Sequence, residues 1–400
     1  MVTWQAARAA LQGVWAVAIA RLLGPSAYGA FAGFAGLATT LGAATGLGFG
    51  LLMLQMASRD LHRFPAYWYK ALAAISLSGA VLASLYLTMA PALTGHEASL
   101  MVVLAICVPE VICLPLMITA SQAFQAHERM GWAGAMYALG PAGNLVAAVL
   151  FVISGKEASL ANYLPWHLTA SLVTTSIAVA AVGTILRPAF QAPSVNKDDL
   201  SEAAGFTAMR AADSGLASID KTLVLRLAGE EIAGHYTAAY RLAAFIALPA
   251  ISLAISTAPR LFRLSASDPT QTARLVANLL RMGLLAAVAG IPVIWALSYA
   301  IPILFGPEFQ PASALAQWMA PFPGLLGLCA LGASLLMAMG KRSARIIVQS
   351  AAAALLVCSM VVLASAGSGR GAVVAVLLTY ASLAVAMWWT VTHRWRLRPE

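Results

Sequence analysis

Charge is what this chain has least of. Only 10% of its 400 residues are Asp, Glu, Lys or Arg, against roughly 25% in a soluble globular domain. Hydrophobic residues make up 61%, more than the interior of a water-soluble fold can hide. Long polar stretches are missing as well. Apolar runs of roughly 20 residues follow one another with short breaks, the length a helix needs to cross about 30 Å of hydrocarbon. The alternating segments of about ten residues that build a membrane barrel are absent. Stretches such as 71–90 and 351–364 are apolar on every face and belong in lipid or against other helices. There is no Walker motif, no Gly-rich dinucleotide loop, no His-Glu-x-x-His and no Gly-x-Ser-x-Gly, which argues against an ATP-driven pump. The four cysteines, Cys107, Cys113, Cys329 and Cys358, sit in apolar runs without zinc or redox spacing and read as small core hydrophobes. No catalytic residue, metal site or cofactor is expected. No cleavable signal peptide is evident, because the first apolar segment carries Gln5, Arg8 and Gln12 and runs too long. Almost nothing precedes it, which leaves open a start site slightly upstream.

What is present is a repeating pattern of spans. Hydropathy, with Gly, Pro and charge as punctuation, predicts helices near 3–22, 28–50, 68–90, 99–124, 131–153 and 161–185. Six more follow near 203–227, 232–257, 277–300, 311–338, 344–365 and 371–391. The fold class is therefore all-α integral membrane, with about twelve transmembrane helices. Between the two sets lies RPAFQAPSVNKDDLSE, the one convincing linker. The expected organisation is an N-terminal lobe over 1–190, a linker over 191–202 and a C-terminal lobe over 203–400. Sixteen of the 24 basic residues fall in alternate loops on one side, among them Arg59, Arg63, Lys70, Arg187, Lys197 and Lys341. Arg21, Lys156, Lys221, Arg226 and Arg370 fall on the other, so both termini and the linker are assigned to the cytoplasm. The net charge of +9 then reports orientation and contact with anionic lipid headgroups, not nucleic acid.

An internal repeat strengthens the two-lobe reading. ARLLGPSAYGAFA at 20–32 and LRLAGEEIAGHYT at 225–237 align Arg21, Gly24, Gly29 and Phe31 with Arg226, Gly229, Gly234 and Tyr236. Pro91, Gly95 and Glu97 echo Pro302, Gly306 and Glu308 at the next outer loop. Copies separated by six spans share their orientation, so two pseudo-symmetric six-helix lobes around a central cavity are expected, with a substrate site between them.

RLLGPSAYGAFAGFAGLATTLGAATGLGFGLLMLQMASRD, from Arg21 to Asp60, resembles the opening of Wzx-type oligosaccharide flippases of the multidrug/oligosaccharidyl-lipid/polysaccharide (MOP) exporter superfamily. The segment from Ile219 to Arg260 is similar to that family's seventh and eighth helices, with its Asp-basic pair, Gly-x-Tyr turn and Pro-Arg exit. Helix order and loop position agree over most of the chain. The resemblance implies an inner-membrane protein that flips an undecaprenyl-pyrophosphate-linked oligosaccharide to the outer leaflet. Its partners would be that lipid-linked oligosaccharide, membrane lipids, a coupling H+ or Na+, and polysaccharide polymerase and chain-length proteins. Two departures stand out. Thr45 occupies a position before Gly-x-Gly where relatives often carry Asp, and the usual basic segment ahead of the first helix is missing.

Ionisable residues inside spans cost roughly 2.5–3.5 kcal/mol each for Arg or Asp and so turn towards cavities or partners. Arg8, Arg210 and Arg241 are the expected pyrophosphate-binding residues, since guanidinium groups fork onto phosphate oxygens and do not deprotonate. Asp213, Asp220 and Glu110 are the expected ion-coupling carboxylates. Arg210, Asp213 and Asp220 share one helical stripe, and the repeat offset pairs Arg8 with Asp213. Bland readings stand beside these: mutual neutralisation of Arg210 and Asp213, snorkelling of Arg241, and interfacial anchoring by Arg21 and Arg226. Gln5, Gln12, Gln122, Gln125 and Asn144 read equally as sugar contacts or interhelical hydrogen bonds. The competing functions are a multidrug or cation antiporter of the same superfamily and a polysaccharide polymerase. The first would want a carboxylate-rich aromatic pocket, the second substantial outer loops, which are lacking.

Overall fold

The apolar runs become helices throughout. A computed structural model describes residues 2–96, 98–267, 269–364 and 367–395, and no strand occurs among them. The helices, labelled in chain order, are α1 Val2–Gly42, α2 Phe49–Arg59, α3 Phe64–Thr94, α4 Leu100–Ala126, α5 Met130–Ile153, α6 Leu160–Leu186 and α7 Lys197–Ala228. Then follow α8 Glu230–Ser267, α9 Pro269–Ser298, α10 Ile301–Phe305, α11 Gln310–Trp318, α12 Phe322–Ala338, α13 Arg342–Leu363 and α14 Gly369–Trp395. Glu97 of the outer-loop echo, Arg396 and Arg398 lie outside the described residues, as do the side chains of Gln5, Arg260, Arg263 and Arg394.

Nine helices among the described residues are long and apolar enough to cross a membrane, or ten when the segment 307–318 and α12, bent by 55°, count as one span. The expected twelve are reconciled by two features. At 41 residues α1 would run about 60 Å, twice the hydrocarbon thickness, but it breaks at Gly24, where φ is 75° and Pro25 follows. Two spans, 2–23 and 25–42, result. The other feature is α7, which forms an unbroken helix of 32 residues although its charges make it too polar to qualify by composition. It starts at Lys197, ahead of the expected 203, because the Asn196 side chain accepts a hydrogen bond from the Asp199 amide at 2.7 Å and caps the first turn.

Contacts divide the chain into two compact units, Met1–Leu23 with Ala30–Thr222, and Gly24–Gly29 with Leu223–Glu400. In the first, residues 25–42 end in a left-handed break that the hydropathy reading ran through. Gly46 (φ 79°) and Gly48 (φ 76°) turn the chain, the Gly46 amide donates to the Ser78 hydroxyl at 2.8 Å, and a Cβ on Gly48 would strike the Ala203 carbonyl. The redirected α2 buries Phe49, Leu52 and Met53 against Trp68 and Phe124. Residues 197–222 of α7 pack in this unit. Thr222 Oγ1 donates to the Gly33 carbonyl at 2.7 Å, Ser214 Oγ donates to the Thr39 carbonyl at 3.1 Å, and Gly36 lets Ser218 come close.

The second unit is centred on Tyr240, Phe322 and Tyr380, whose rings meet at 5.1 and 5.0 Å. It also holds the meeting of the two repeated turns. A Cβ on Gly29 would collide with the Glu230 carbonyl, and one on Gly234 with the Pro25 carbonyl. The repeat offset of 205 carries Pro25 to Glu230 and Gly29 to Gly234, so each contact is the counterpart of the other and the pair is reciprocal.

Candidate transport site

The first unit contains a cavity of about 390 Å³, within the range of small-ligand sites, lined among others by Thr39, Glu110, Tyr137, Arg210, Asp213 and Ser214. Each polar group has a structural cause. Glu110 lies on a π-helical turn, Val108–Cys113, inside α4. That widened turn, a feature common at functional sites, begins with Val108-Pro109 and is approached so closely by Gly42 that a Cβ on that glycine would meet the Glu110 carbonyl. The Glu110 Oε2 atom stands 2.9 Å from Thr39 Oγ1, which is itself 2.7 Å from the Ala35 carbonyl. Arg210 and Asp213 come from the α7 face predicted by their spacing.

Three of the six expected site residues, Glu110, Arg210 and Asp213, therefore line one cavity. A fourth, Arg8, lies one ring away, its guanidinium carbon 5.0 Å from the centroid of the Tyr137 ring. The remaining two do not line it. Asp220 is 1% exposed and joined to Lys221, whose ammonium donates to its two carboxylate oxygens at 2.8 and 3.0 Å. Arg241 belongs to the second unit, where it faces the buried Tyr28. Of the polar residues flagged in the sequence, Gln125 donates to Ser121 at 3.2 Å, and the Ser121 hydroxyl donates across to the Ala133 carbonyl at 2.8 Å, which makes this pair interhelical fastening. Trp4 packs onto Gly134, and Cys358 is exposed while the other cysteines are buried.

Two clusters escaped the sequence reading. At the start of α7, Lys70 Nζ donates to Asp199 Oδ2 at 2.7 Å and the Tyr67 hydroxyl donates to Oδ1 at 2.8 Å. Gln55 adds a 2.6 Å bond to Glu202. Burial pushes the Asp199 carboxyl up, but the Lys70 and Tyr67 hydrogen bonds more than offset it and hold it below its usual value. Lys70 and Asp199 were assigned to one side of the membrane by charge counting, and the pair requires that they share a side. The other cluster surrounds His167, 2% exposed. Its ring stacks on Trp15 (5.9 Å, 14°) and meets Phe31 edge-on at 5.7 Å, while Trp15 Nε1 donates to the Tyr163 hydroxyl at 2.9 Å. Neither imidazole nitrogen has a hydrogen-bond partner among the described residues. A polar residue in an apolar run was the one available signal.

The fold matches solved transporters end to end. An inward-facing multidrug resistance MATE family transporter of the MOP superfamily aligns with a TM-score of 0.76 at 13% identity, covering 96% of this chain and 95% of that one. A MATE transporter in its bent conformation gives 0.63 at 14%, covering 98% and 93%. A MOP superfamily transporter from Pyrococcus furiosus Vc1, described as having a binding pocket of reverse polarity, gives 0.63 at 14%, covering 99% and 93%. No curated protein matches. Residues 1–265 match the family described as polysaccharide biosynthesis protein. With two-thirds of its length inside that match, the chain belongs to the polysaccharide biosynthesis protein family, and over nearly all of its length this multi-pass membrane protein has the fold of the MOP-superfamily transporters.

Proposed function

We propose that this protein flips an undecaprenyl-pyrophosphate-linked oligosaccharide from the cytoplasmic to the outer leaflet of a bacterial inner membrane, for cell-surface or exopolysaccharide synthesis. The observation that carries the reading is Arg210 set in a 390 Å³ cavity of a polysaccharide-family chain. A guanidinium in a partly desolvated cavity is suited to diphosphate oxygens, and Tyr137, with Arg8 over its ring, offers an aromatic face beside it. Arg241, in the second unit, is the third phosphate-binding cation of this reading. Glu110 and Asp213 are the coupling carboxylates by alternating access, whereas Asp220, held by Lys221, serves structure better than coupling. Both termini are cytoplasmic in this reading, and polymerase and chain-length proteins receive the product.

The two cavity carboxylates favour a second reading, a cation or multidrug antiporter. One experiment separates them. In proteoliposomes, the wild type moves a fluorescent polyprenyl-diphosphate oligosaccharide between leaflets, and Arg210→Ala lowers that rate at least tenfold with little change in thermal stability. Cationic dye efflux without lipid flipping would establish the antiporter instead.

A further inference from the structure

Arg8 stands half-buried in the first span with no carboxylate on it. Among the described residues neither Arg8 nor Arg210 has an ion-pair or hydrogen-bond partner, so neither draws on Asp213, the carboxylate that spacing and the repeat offered them. What Arg8 meets is an aromatic face. Its guanidinium carbon lies 5.0 Å from the centroid of the Tyr137 ring.

The packing of two helices builds that contact. One turn before Arg8 on α1, Trp4 packs onto Gly134, which is itself one turn before Tyr137 on α5, and a Cβ on that glycine would strike the indole. The Ser121 hydroxyl donates to the Ala133 carbonyl at 2.8 Å and ties α5 to α4 at the same level. Tyr137 also lines the cavity that holds Arg210. It therefore borders both cations.

From this placement we propose that Tyr137 is a positioning residue for the diphosphate: its ring holds the Arg8 guanidinium beside the cavity, so that Arg8 and Arg210 receive the headgroup together. The proposal rests on the flippase reading. A ring attracts a cation through the negative face of its quadrupole, more strongly where water is excluded. The attraction uses the charge and none of the five N–H donors with which a guanidinium grips phosphate oxygens. A carboxylate in place of the ring would also fix Arg8, but it would cancel the charge and occupy the N–H fork. The aromatic holds the cation and leaves it usable.

Isothermal titration of inorganic pyrophosphate into the full chain in zwitterionic lipid nanodiscs tests this, with phenylalanines of increasing ring fluorination placed at position 137. Fluorine drains the ring face with little change of shape, so packing persists while the attraction fades. Tyr137→Phe is expected to bind within about twofold of the wild type, and affinity then falls stepwise with fluorination, to about fivefold in all. Tyr137→Leu shows the whole loss at once. In an Arg8→Ala background all the position-137 variants bind alike. A flat fluorination series, a series that persists in Arg8→Ala, or a loss in Tyr137→Phe as large as in Tyr137→Leu overturns the proposal. The ring variants keep size and shape, so they decide it even where Tyr137→Leu misfolds. Lipid flipping is read beside binding. Pyrophosphate binding that ignores fluorination, with flipping intact, sinks the positioning role alone, whereas a wild type that neither binds pyrophosphate nor flips lipid sinks the flippase reading and this proposal with it.

Discussion

The first unit holds two clusters of carboxylates and cations, and they are built to opposite ends. At the start of α7, Lys70 and Asp199 are 10% and 5% exposed in their side chains, joined at 2.7 Å, with Tyr67 on the second carboxylate oxygen. In the cavity, Glu110, Arg210 and Asp213 are half-buried around open volume, and a single hydroxyl stands between two acceptors. The difference teaches what burial does to charge. A closed, saturated pair fixes a helix, whereas an open cluster keeps its charged groups within reach of a ligand.

The contrast can be broken most directly at its rigid end. Lys70→Met leaves Asp199 buried without its cation and is expected to cost about 3–5 kcal/mol, seen as a large fall in melting temperature in detergent, with part of it recovered by adding Asp199→Leu. A smaller effect sharpens the same point through pH. Because the Asp199 carboxyl is held below its usual value, its contribution is complete above about pH 4, the unfolded carboxyl's pKa, and disappears as pH falls through the lowered folded one. Melting curves of the wild type should therefore lose stability on acidification there, and Lys70→Met should lose less. If the two proteins respond alike, the pair is not the anchor it is taken to be. The smallest effect has the opposite sign. His167→Phe keeps the ring stack with Trp15 and Phe31 and removes two buried nitrogens that have no hydrogen-bond partner among the described residues, so it should raise stability by about 1 kcal/mol. A loss instead would mean that those nitrogens are met by water and belong with the working cluster.

The helices were legible because hydropathy over twenty residues reports lipid, and all twelve expected spans correspond to helix in the structure. The breaks inside them were harder to see. Residues 43–48 are as apolar as a helix, and the turn comes from left-handed backbone at Gly46, Leu47 and Gly48, with the two glycines pressed by Ile75 and Ala203. The π turn around Glu110 leaves no periodic trace, since one widened turn shifts the side-chain phase only locally. In the site, Arg210 and Asp213 were readable from their three-residue spacing. Thr39, Tyr137 and Ser214 were not, because ordinary polar residues in a span acquire meaning only from what faces them. Lys70 and Asp199 are 129 positions apart, beyond any local pattern. Asp220 was grouped with the cavity by its stripe, but the adjacent Lys221 folds back along the helix and claims it.

The reciprocal fit of Gly29 on Glu230 and Gly234 on Pro25 has the form of a self-complementary dimer interface written into one polypeptide. Its consequence is a paired constraint on the repeat: elsewhere the two copies differ, Arg8 standing where the other has Asp213, but here neither glycine can gain a side chain without striking the opposite copy's backbone.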